Sequence, residues 1–151
     1  MRARHYLGTM VSMSELPDWP PGTVCVLSTG GGPPHAIPVS TALRAGPRRV
    51  LLVLAARRET LARLRREPRC ALTVMAAGDI ACTIHARAAI VAESLPGAQG
   101  VAAVALEVDE IQDHMQPRFA IRAGVAWDWT DDDARASDAA VRGALVELAR
   151  R

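Results

Sequence analysis

The longest regular pattern in this 151-residue chain is an alternation of apolar and polar side chains from Ile80 to about Glu93. One set of alternate positions is apolar: Cys82, Ile84, Ala86, Ala88 and Ile90. The positions between them carry Thr83, His85 and Arg87. A period of two places alternate side chains on opposite faces of a β-strand. The chain is therefore expected to form a sheet, with this long strand burying one face.

Other segments have strand patterns and are separated by turn residues. Pro and Gly end most of these segments, and the glycine run at 30–32 followed by two prolines predicts a hairpin. The run at 49–55 is almost continuously apolar, which indicates a strand covered on both faces. Trp127 and Trp129 alternate with charged residues and predict a final short strand or edge. The predicted strands, besides the long one, are 23–28, 35–43, 49–55, 70–75 and 101–114.

Two helices are expected. Residues 58–67 place Leu61 and Leu64 three apart among arginines, and Pro68 ends the segment. Residues 131–151 begin with three aspartates and end with two arginines, which matches the helix dipole at both ends. Thr130 is the expected N-cap of this C-terminal helix. Its apolar stripe is Val141, Leu145 and Leu148.

These elements predict a mainly β protein with six or seven antiparallel strands, a short crossover helix and a C-terminal helix. A small closed barrel is expected, because closure removes exposed sheet edges. The expected organisation is an N-terminal arm or short helix over residues 1–21, a barrel over 22–130, and a helix over 131–151. That last helix is expected to pack on the barrel or on a dimer partner.

Composition excludes several classes of protein. The longest apolar run has seven residues, Val50–Ala56, against about twenty for a membrane helix, so no membrane partner is expected. The formal net charge of +2 is too small to indicate a nucleic-acid partner. The N-terminus lacks a signal-peptide pattern, and three cysteines without a C-x-x-C pair fit a reducing cytoplasm. The chain has no lysine, which excludes a Schiff base and a P-loop.

No motif nominates a catalytic residue or a metal site. The four histidines are scattered without metal-ligand spacing, and no G-x-S-x-G sequence occurs. The glycine run at 30–32 is followed by a strand and not by a helix, so it is not a phosphate loop. The aspartates at 131–133 are explained by their place in the first turn of a helix.

Arg57, Arg58 and Thr60 form the best candidate binding site from chemistry alone. They stand where a buried strand passes into a short helix. Free N–H groups of a first helical turn, the helix dipole and guanidinium groups all favour a phosphate dianion. The other arginines of this segment, Arg63, Arg65, Arg66 and Arg69, are expected to form a solvated face.

From Gly22 to about His114 the chain resembles the pyridoxamine 5′-phosphate oxidase-like flavin-binding split barrels. The most specific match is the step from the short helix into the fourth strand, where leucine, polar residues, proline and arginine follow one another. The matching segments, in order and at the family spacing, are Val24–Thr29 with its glycine turn, Pro34–Ser40, Val50–Ala55, Arg58–Leu72 and Ala81–Val91.

The resemblance implies a homodimer of six-stranded barrels that holds FMN or a deazaflavin at the subunit interface. The ring would lie along Pro38, Val39, Ser40 and Thr41 and along Leu54, Ala55 and Ala56. The phosphate would be held by Arg57, Arg58 and Thr60, and Thr83 would reach the cofactor of the partner subunit. Thr60 departs from the family, which often has lysine there. The C-terminal arginine signature that binds pyridoxal phosphate is absent, so vitamin B6 synthesis is not predicted.

Three functions remain open at this stage. The first is an FMN-dependent oxidoreductase that transfers hydride to or from a small organic substrate. The second is a reductase that uses the deazaflavin coenzyme F-420, with Arg63 and Arg66 as additional ligands. The third is a non-catalytic flavin or haem binding protein, in which His35 and His85 are the candidate haem ligands.

Overall fold

The structure, a computed structural model, describes residues 11–151. Positions 1–10 of the predicted N-terminal arm lie outside the described residues, and Val11 and Ser12 form a short strand rather than part of a helix. Within the described residues the elements are β1 (Val11–Ser12), β2 (Cys25–Thr29), β3 (His35–Val39), β4 (Leu43–Gly46), β5 (Arg49–Ala55), α1 (Glu59–Arg66), β6 (Arg69–Ala76), β7 (Ile80–Ala92), β8 (Val101–Asp113) and α2 (Asp132–Ala149).

All pairs of neighbouring strands are antiparallel, and the order is β3-β2-β6-β7-β8-β5-β4, with β1 beside β8. The expected closure is wrong: β3 and β4 stand at the two ends of the hydrogen-bonded path. These two edge strands are nonetheless consecutive in the chain, and only residues 40–42 separate them. Four residue steps span at most about 14 Å, so the sheet must curl until its edges approach each other. The result is a barrel that is split between β3 and β4.

The main core lies on the inner side of the curled sheet. Alternate residues of β2, β6 and β7 point there, as the sequence alternation predicts, and α1 adds Leu61 and Leu64. A smaller cluster on the outer side is formed by β5, β8 and α2, around Leu51 and Leu145. β8 is therefore covered on both faces, and its outer positions Ala103 and Ala105 are small enough for the helix to approach closely.

Most element bounds agree with the sequence prediction within one or two residues, and β5 agrees at both ends. The main exception is the predicted strand 35–43, which is two strands, β3 and β4. Pro38 cannot donate a backbone hydrogen bond, which is tolerable in an edge strand. Residues 40–42, called the linker below, leave the ladder between the two edges.

The segment 114–131 corrects two further expectations. Trp127 and Trp129 lie in irregular chain and not in a strand. Trp127 is fixed through its side chain, since Nε1 donates to the Gly22 carbonyl oxygen at 2.8 Å. The N-cap of α2 is Asp131 and not Thr130, because the Asp131 carboxylate accepts from the Ala134 amide at 2.7 Å.

α2 has 18 residues, but it carries aspartate, glutamate and arginine along its length. Within residues 11–151, neither helix combines the length and hydropathy that a membrane crossing needs.

Candidate functional site

The two segments predicted to lie along a flavin ring meet where the barrel splits. The Thr41 hydroxyl accepts a hydrogen bond from the Val53 amide at 3.0 Å and donates to the Val53 carbonyl oxygen at 3.4 Å. The β4–β5 ladder would continue, two residues beyond the Leu43–Leu51 pair, with a backbone pairing of Thr41 and Val53. The Thr41 hydroxyl takes the place of that backbone pairing. The linker is thus fixed beside the end of β5, and Thr41 is bonded to the residue that precedes Leu54.

Two other contacts fix the linker. The Trp19 indole Nε1 donates to the Ala42 carbonyl oxygen at 2.9 Å. Arg142, on α2, donates from Nη1 to the Ser40 carbonyl oxygen at 2.9 Å. Each of the three linker residues is therefore held by a contact from a different part of the chain.

The predicted ring-binding residues differ in what they can offer a ligand. Val39 and Leu54 are 6% and 5% exposed and belong to the inner core, so only their backbones could face a cofactor. Pro38 and Ala56 are exposed, whereas Ser40, Thr41 and Ala55 are half-buried. The accessible part of this region is therefore mostly backbone and small side chains.

Arg57 and Arg58 are both exposed, and within residues 11–151 neither side chain forms a hydrogen bond or ion pair. Arg58 is the N-cap of α1 and makes no side-chain capping bond. Its amide donates to the Ala55 carbonyl oxygen at 3.1 Å, which forms the turn after β5. Two uncommitted guanidinium groups therefore stand at an uncapped helix N-terminus, as the sequence predicts.

Thr60 is placed differently from the other predicted phosphate ligands. It is 1% exposed, and its Oγ1 lies 3.0 Å from His35 Nε2. This hydrogen bond joins α1 to the start of β3. The Thr60 side chain is thus engaged within the protein, and the same contact occupies His35.

Arg63 does not lie on a solvated face, which corrects the expectation for this residue. It is 6% exposed, Nε donates to Glu59 Oε1 at 3.0 Å, and Nη1 donates to the Pro33 carbonyl oxygen at 2.6 Å. The guanidinium therefore fastens the glycine turn between β2 and β3 to α1. The signal in the sequence was Glu59 four residues before Arg63, a spacing that places both on one side of a helix.

The remaining arginines of this segment are exposed, as expected. Arg65 is paired with Glu93 at 2.8 Å, and Arg69 with Glu67 at 2.9 Å. Arg66 makes no ion pair within the described residues. Among the arginines from 57 to 69, the side chains without a partner in residues 11–151 are Arg57, Arg58 and Arg66.

Thr83 shares the outer face of the sheet with Pro38 but lies far from it. A row of paired residues runs from Pro38 through Val26 and Thr73 to Thr83. Three strand spacings separate the ends of this row by roughly 14 Å. Thr83 Oγ1 lies 2.7 Å from His114 Nε2. The structure does not bring Thr83 to the linker of its own subunit.

The other titratable groups offer no activated nucleophile. Burial raises the pKa of the Cys25 and Cys70 thiols to about 12 and that of Cys82 to about 11. All three are therefore protonated and unreactive at neutral pH. His85 Nε2 lies 3.2 Å from Gln112 Oε1. Within residues 11–151, no three His, Cys, Asp or Glu side chains come together as metal ligands.

Sequence reasoning missed Arg142. Besides Ser40, its guanidinium contacts Asp138 Oδ2 at 2.8 Å, and Cζ lies 5.9 Å from the centre of the Trp127 ring. Its Nη2 is buried and has no hydrogen-bond partner among the described residues. The Asp138–Arg142 spacing in the sequence indicates a helical ion pair, but nothing local indicates the contact with Ser40, 102 residues away.

Searches of family models and of curated proteins find no match to this sequence. Comparison with solved structures does find similar folds. A candidate pyridoxamine 5′-phosphate oxidase from Listeria innocua has a TM-score of 0.51 at 14% identity, with 61% of this chain and 88% of that chain covered. The General Stress Protein 26 of Bacillus anthracis has a TM-score of 0.52 at 12% identity, covering 63% of this chain and 87% of that one.

A heme binding protein from Mycobacterium smegmatis is also similar, with a TM-score of 0.50 at 17% identity, covering 65% of this chain and 51% of that one. At such identities the likeness concerns the fold. The chain therefore has the fold of the pyridoxamine 5′-phosphate oxidase-like split barrels, which confirms the fold expected from its motifs.

Proposed function

We propose that this protein is an FMN-dependent oxidoreductase that transfers hydride to or from a small organic substrate. The observation that carries the proposal is the pair of uncommitted guanidinium groups, Arg57 and Arg58, at the N-terminus of α1. They stand directly after β5, whose end lies beside the linker. The proposed phosphate end is thus next to a region lined mostly by backbone and small side chains, on a fold whose solved examples include a candidate pyridoxamine 5′-phosphate oxidase.

The phosphate end fits a dianion in charge and in donors. Arg57 and Arg58 are free to move onto a ligand, and the first-turn N–H groups of α1 have no side-chain cap. Each charge-assisted hydrogen bond is worth about 1.5–3 kcal/mol. Glu59 brings a negative charge to the same turn, but Arg63 lies against its carboxylate and lowers its pKa, so the charge is compensated.

The ring end would be formed by the linker and by Leu54–Ala56. When bound, FMN supplies hydride transfer at the N5 position of its ring. The chain's contribution is to hold the ring against the backbone of the split, with Pro38 and Ala56 exposed beside it. Within residues 11–151, no Asp, Glu or His side chain forms a hydrogen bond with the linker, so we assign protons to the substrate or to water.

We further propose a homodimer formed through the outer face of β3, β2 and β6. This face exposes Val26, Pro38 and Met75, of which Met75 is 56% exposed. Because Thr83 lies on the same face, a partner subunit seated there could bring its own copy of that residue to the cofactor. The three buried thiols fit residence in the reducing cytoplasm.

Two other ligands are possible on the same fold. Coenzyme F-420 carries a polyanionic side chain, for which Arg66 is free, whereas Arg63 would have to leave Glu59 and Pro33. The Mycobacterium smegmatis protein is described as heme binding. Haem would require His35 or His85 as an iron ligand, and Nε2 of these residues already contacts Thr60 and Gln112, respectively.

Flavin titration tests the proposal. Purified protein is titrated with FMN and with riboflavin, which lacks the phosphate, and the change in flavin fluorescence gives both dissociation constants. Arg58→Ala should weaken FMN binding roughly tenfold or more, the loss of one charge-assisted contact, and leave riboflavin binding unchanged. Arg122→Ala, the same change at an exposed arginine of the segment 114–131, is the matched control. Wild-type protein that binds neither flavin would refute the proposal.

A further inference from the structure

The linker is held more firmly than its lack of regular structure suggests. Ser40, Thr41 and Ala42 are each fixed by one long-range contact, from Arg142, Val53 and Trp19. Val53 belongs to β5, and Trp19 lies between β1 and β2. Arg142 is different, because it reaches the linker from α2, on the outer side of the barrel.

The Arg142 guanidinium has two neighbours outside the linker, one on α2 and one in the segment before it. Nε is paired with Asp138 at 2.8 Å, and the two side chains are only 25% and 16% exposed. The Trp127 ring lies over the same group at 5.9 Å. With the guanidinium held by these two neighbours, its bond to Ser40 fixes the linker rather than the reverse.

The orientation of one peptide unit follows from this bond. In a planar trans peptide the carbonyl group and the following N–H point in opposite directions. The Ser40 carbonyl oxygen is directed at Arg142, so the Thr41 N–H is directed away from α2. This N–H has no acceptor among residues 11–151, and it stands in the segment proposed to line the flavin ring.

We infer that Arg142 is a positioning residue for the ring end of the cofactor site. By holding the Ser40 carbonyl, it presents the Thr41 N–H as a donor to an oxygen or nitrogen of the bound ring. This inference rests on the proposed flavin site and deepens it, since it assigns the ring end to α2 and leaves the phosphate end to Arg58.

A purely structural role for Arg142 makes a different prediction. If the side chain only ties α2 to the sheet, its loss lowers stability and leaves bound flavin unchanged in spectrum. If it positions the ring end, its loss changes the environment of the ring. Riboflavin and FMN must then lose the same factor of affinity, because the ring is common to both.

The experiment measures the dissociation constants of riboflavin and FMN, and the visible circular dichroism of the bound flavin, for wild type, Arg142→Gln and Arg58→Ala. Arg135→Gln is the control, because Arg135 is on α2 but pairs with the exposed Asp128 and Asp132. We expect Arg142→Gln to weaken both flavins equally, by about tenfold for one lost hydrogen bond, and to alter the dichroism. Arg58→Ala should weaken FMN alone.

The outcomes separate the two proposals. Wild-type protein that binds neither flavin overturns the proposed function and this inference with it. Flavin binding that is unchanged in Arg142→Gln, in affinity and in dichroism, overturns the inference alone. Should Arg142→Gln fail to fold, Asp138→Asn keeps the guanidinium and weakens its orientation. That variant should show a smaller loss for both flavins, and wild-type values would overturn the inference.

Discussion

The Thr41 hydroxyl forms two hydrogen bonds with the Val53 backbone: it accepts one from the Val53 amide at 3.0 Å and donates one to the Val53 carbonyl oxygen at 3.4 Å. Thr41→Val removes the hydroxyl at nearly constant shape and leaves both Val53 groups unpaired. We expect a loss of about 1–3 kcal/mol in the free energy of unfolding, measured by urea denaturation. Thr41→Ser keeps the hydroxyl and should retain most of the stability. Equal losses in the two variants would contradict this role.

Arg63 should be the most sensitive of the arginines near α1. Arg63→Gln cannot reach both Glu59 and the Pro33 carbonyl, so the charge-assisted hydrogen bonds of a buried guanidinium are lost. We expect destabilisation of about 2–4 kcal/mol in urea denaturation, from the loss of charge-assisted bonds. Arg66→Gln on the same helix is the control and should stay within about 0.5 kcal/mol of wild type. If Arg63→Gln had the same free energy of unfolding as wild type, the glycine turn would not depend on this contact.

The three cysteine thiols should not react with thiol reagents in the folded protein. Burial raises the pKa of Cys25 and Cys70 to about 12 and that of Cys82 to about 11. An aromatic disulfide reagent should therefore modify none of them at pH 8 under native conditions and all of them in denaturant. Modification that runs faster than global unfolding would show that one thiol is more accessible than its burial indicates.

The ion pair of Glu67 with Arg69 should make the free energy of unfolding depend on pH in the acidic range. Its hydrogen bonds with the Arg69 side chain and amide lower its pKa from 4.5 to about 2. A carboxylate with a lowered folded-state pKa stabilises the protein above its unfolded pKa and loses that effect as pH falls through the folded value. The urea midpoints of wild type and Glu67→Gln should therefore converge between pH 4.5 and about 2. Glu110→Gln, which removes a glutamate without an ion pair in residues 11–151, is the matched control; the same convergence in that variant would mean that the Glu67–Arg69 contact is not its source.

Gly143 should be replaceable with a gain in stability. It lies inside α2, and nothing within 4 Å would meet an added Cβ. Gly143→Ala should raise the free energy of unfolding by about 0.5–1 kcal/mol, because alanine loses less backbone entropy in a helix. Gly97→Ala is the opposing control, since Gly97 has φ +75 and the substitution strains the backbone. Destabilisation by Gly143→Ala would mean that something else occupies that side of the helix.

Patterns local in sequence predicted most of the fold. The alternation from Cys82 to Ile90 gave the buried face of β7, and the continuous apolar run gave β5 with both faces covered. The split between β3 and β4 was not predictable in this way. The split depends on the Thr41 hydroxyl, which takes the place of a backbone pairing with Val53. Nothing in the neighbouring sequence distinguishes this threonine from one in an ordinary strand.

The candidate site was predictable in part for the same reason. The place of Arg57 and Arg58 between a strand and a helix is visible in the sequence, because a buried apolar run is followed by a short helical pattern. Arg63 is buried because the glycine turn folds back on α1, and Arg142 meets Ser40 because α2 returns across the outer face. Both contacts depend on the three-dimensional course of the chain, so residue type and spacing alone could not distinguish these arginines from exposed ones.

The position of β8 has a consequence for biosynthesis. The strands β3, β2, β6 and β7 form one half of the sheet and β4 and β5 the other, and β8 joins the two halves. Among the strands of residues 11–151 it is also the last to be made. During translation β4 and β5 therefore cannot pair with the other half of the sheet until residues near Asp113 leave the ribosome. Until then the unpaired edges of the two halves are the part of the nascent chain most open to aggregation.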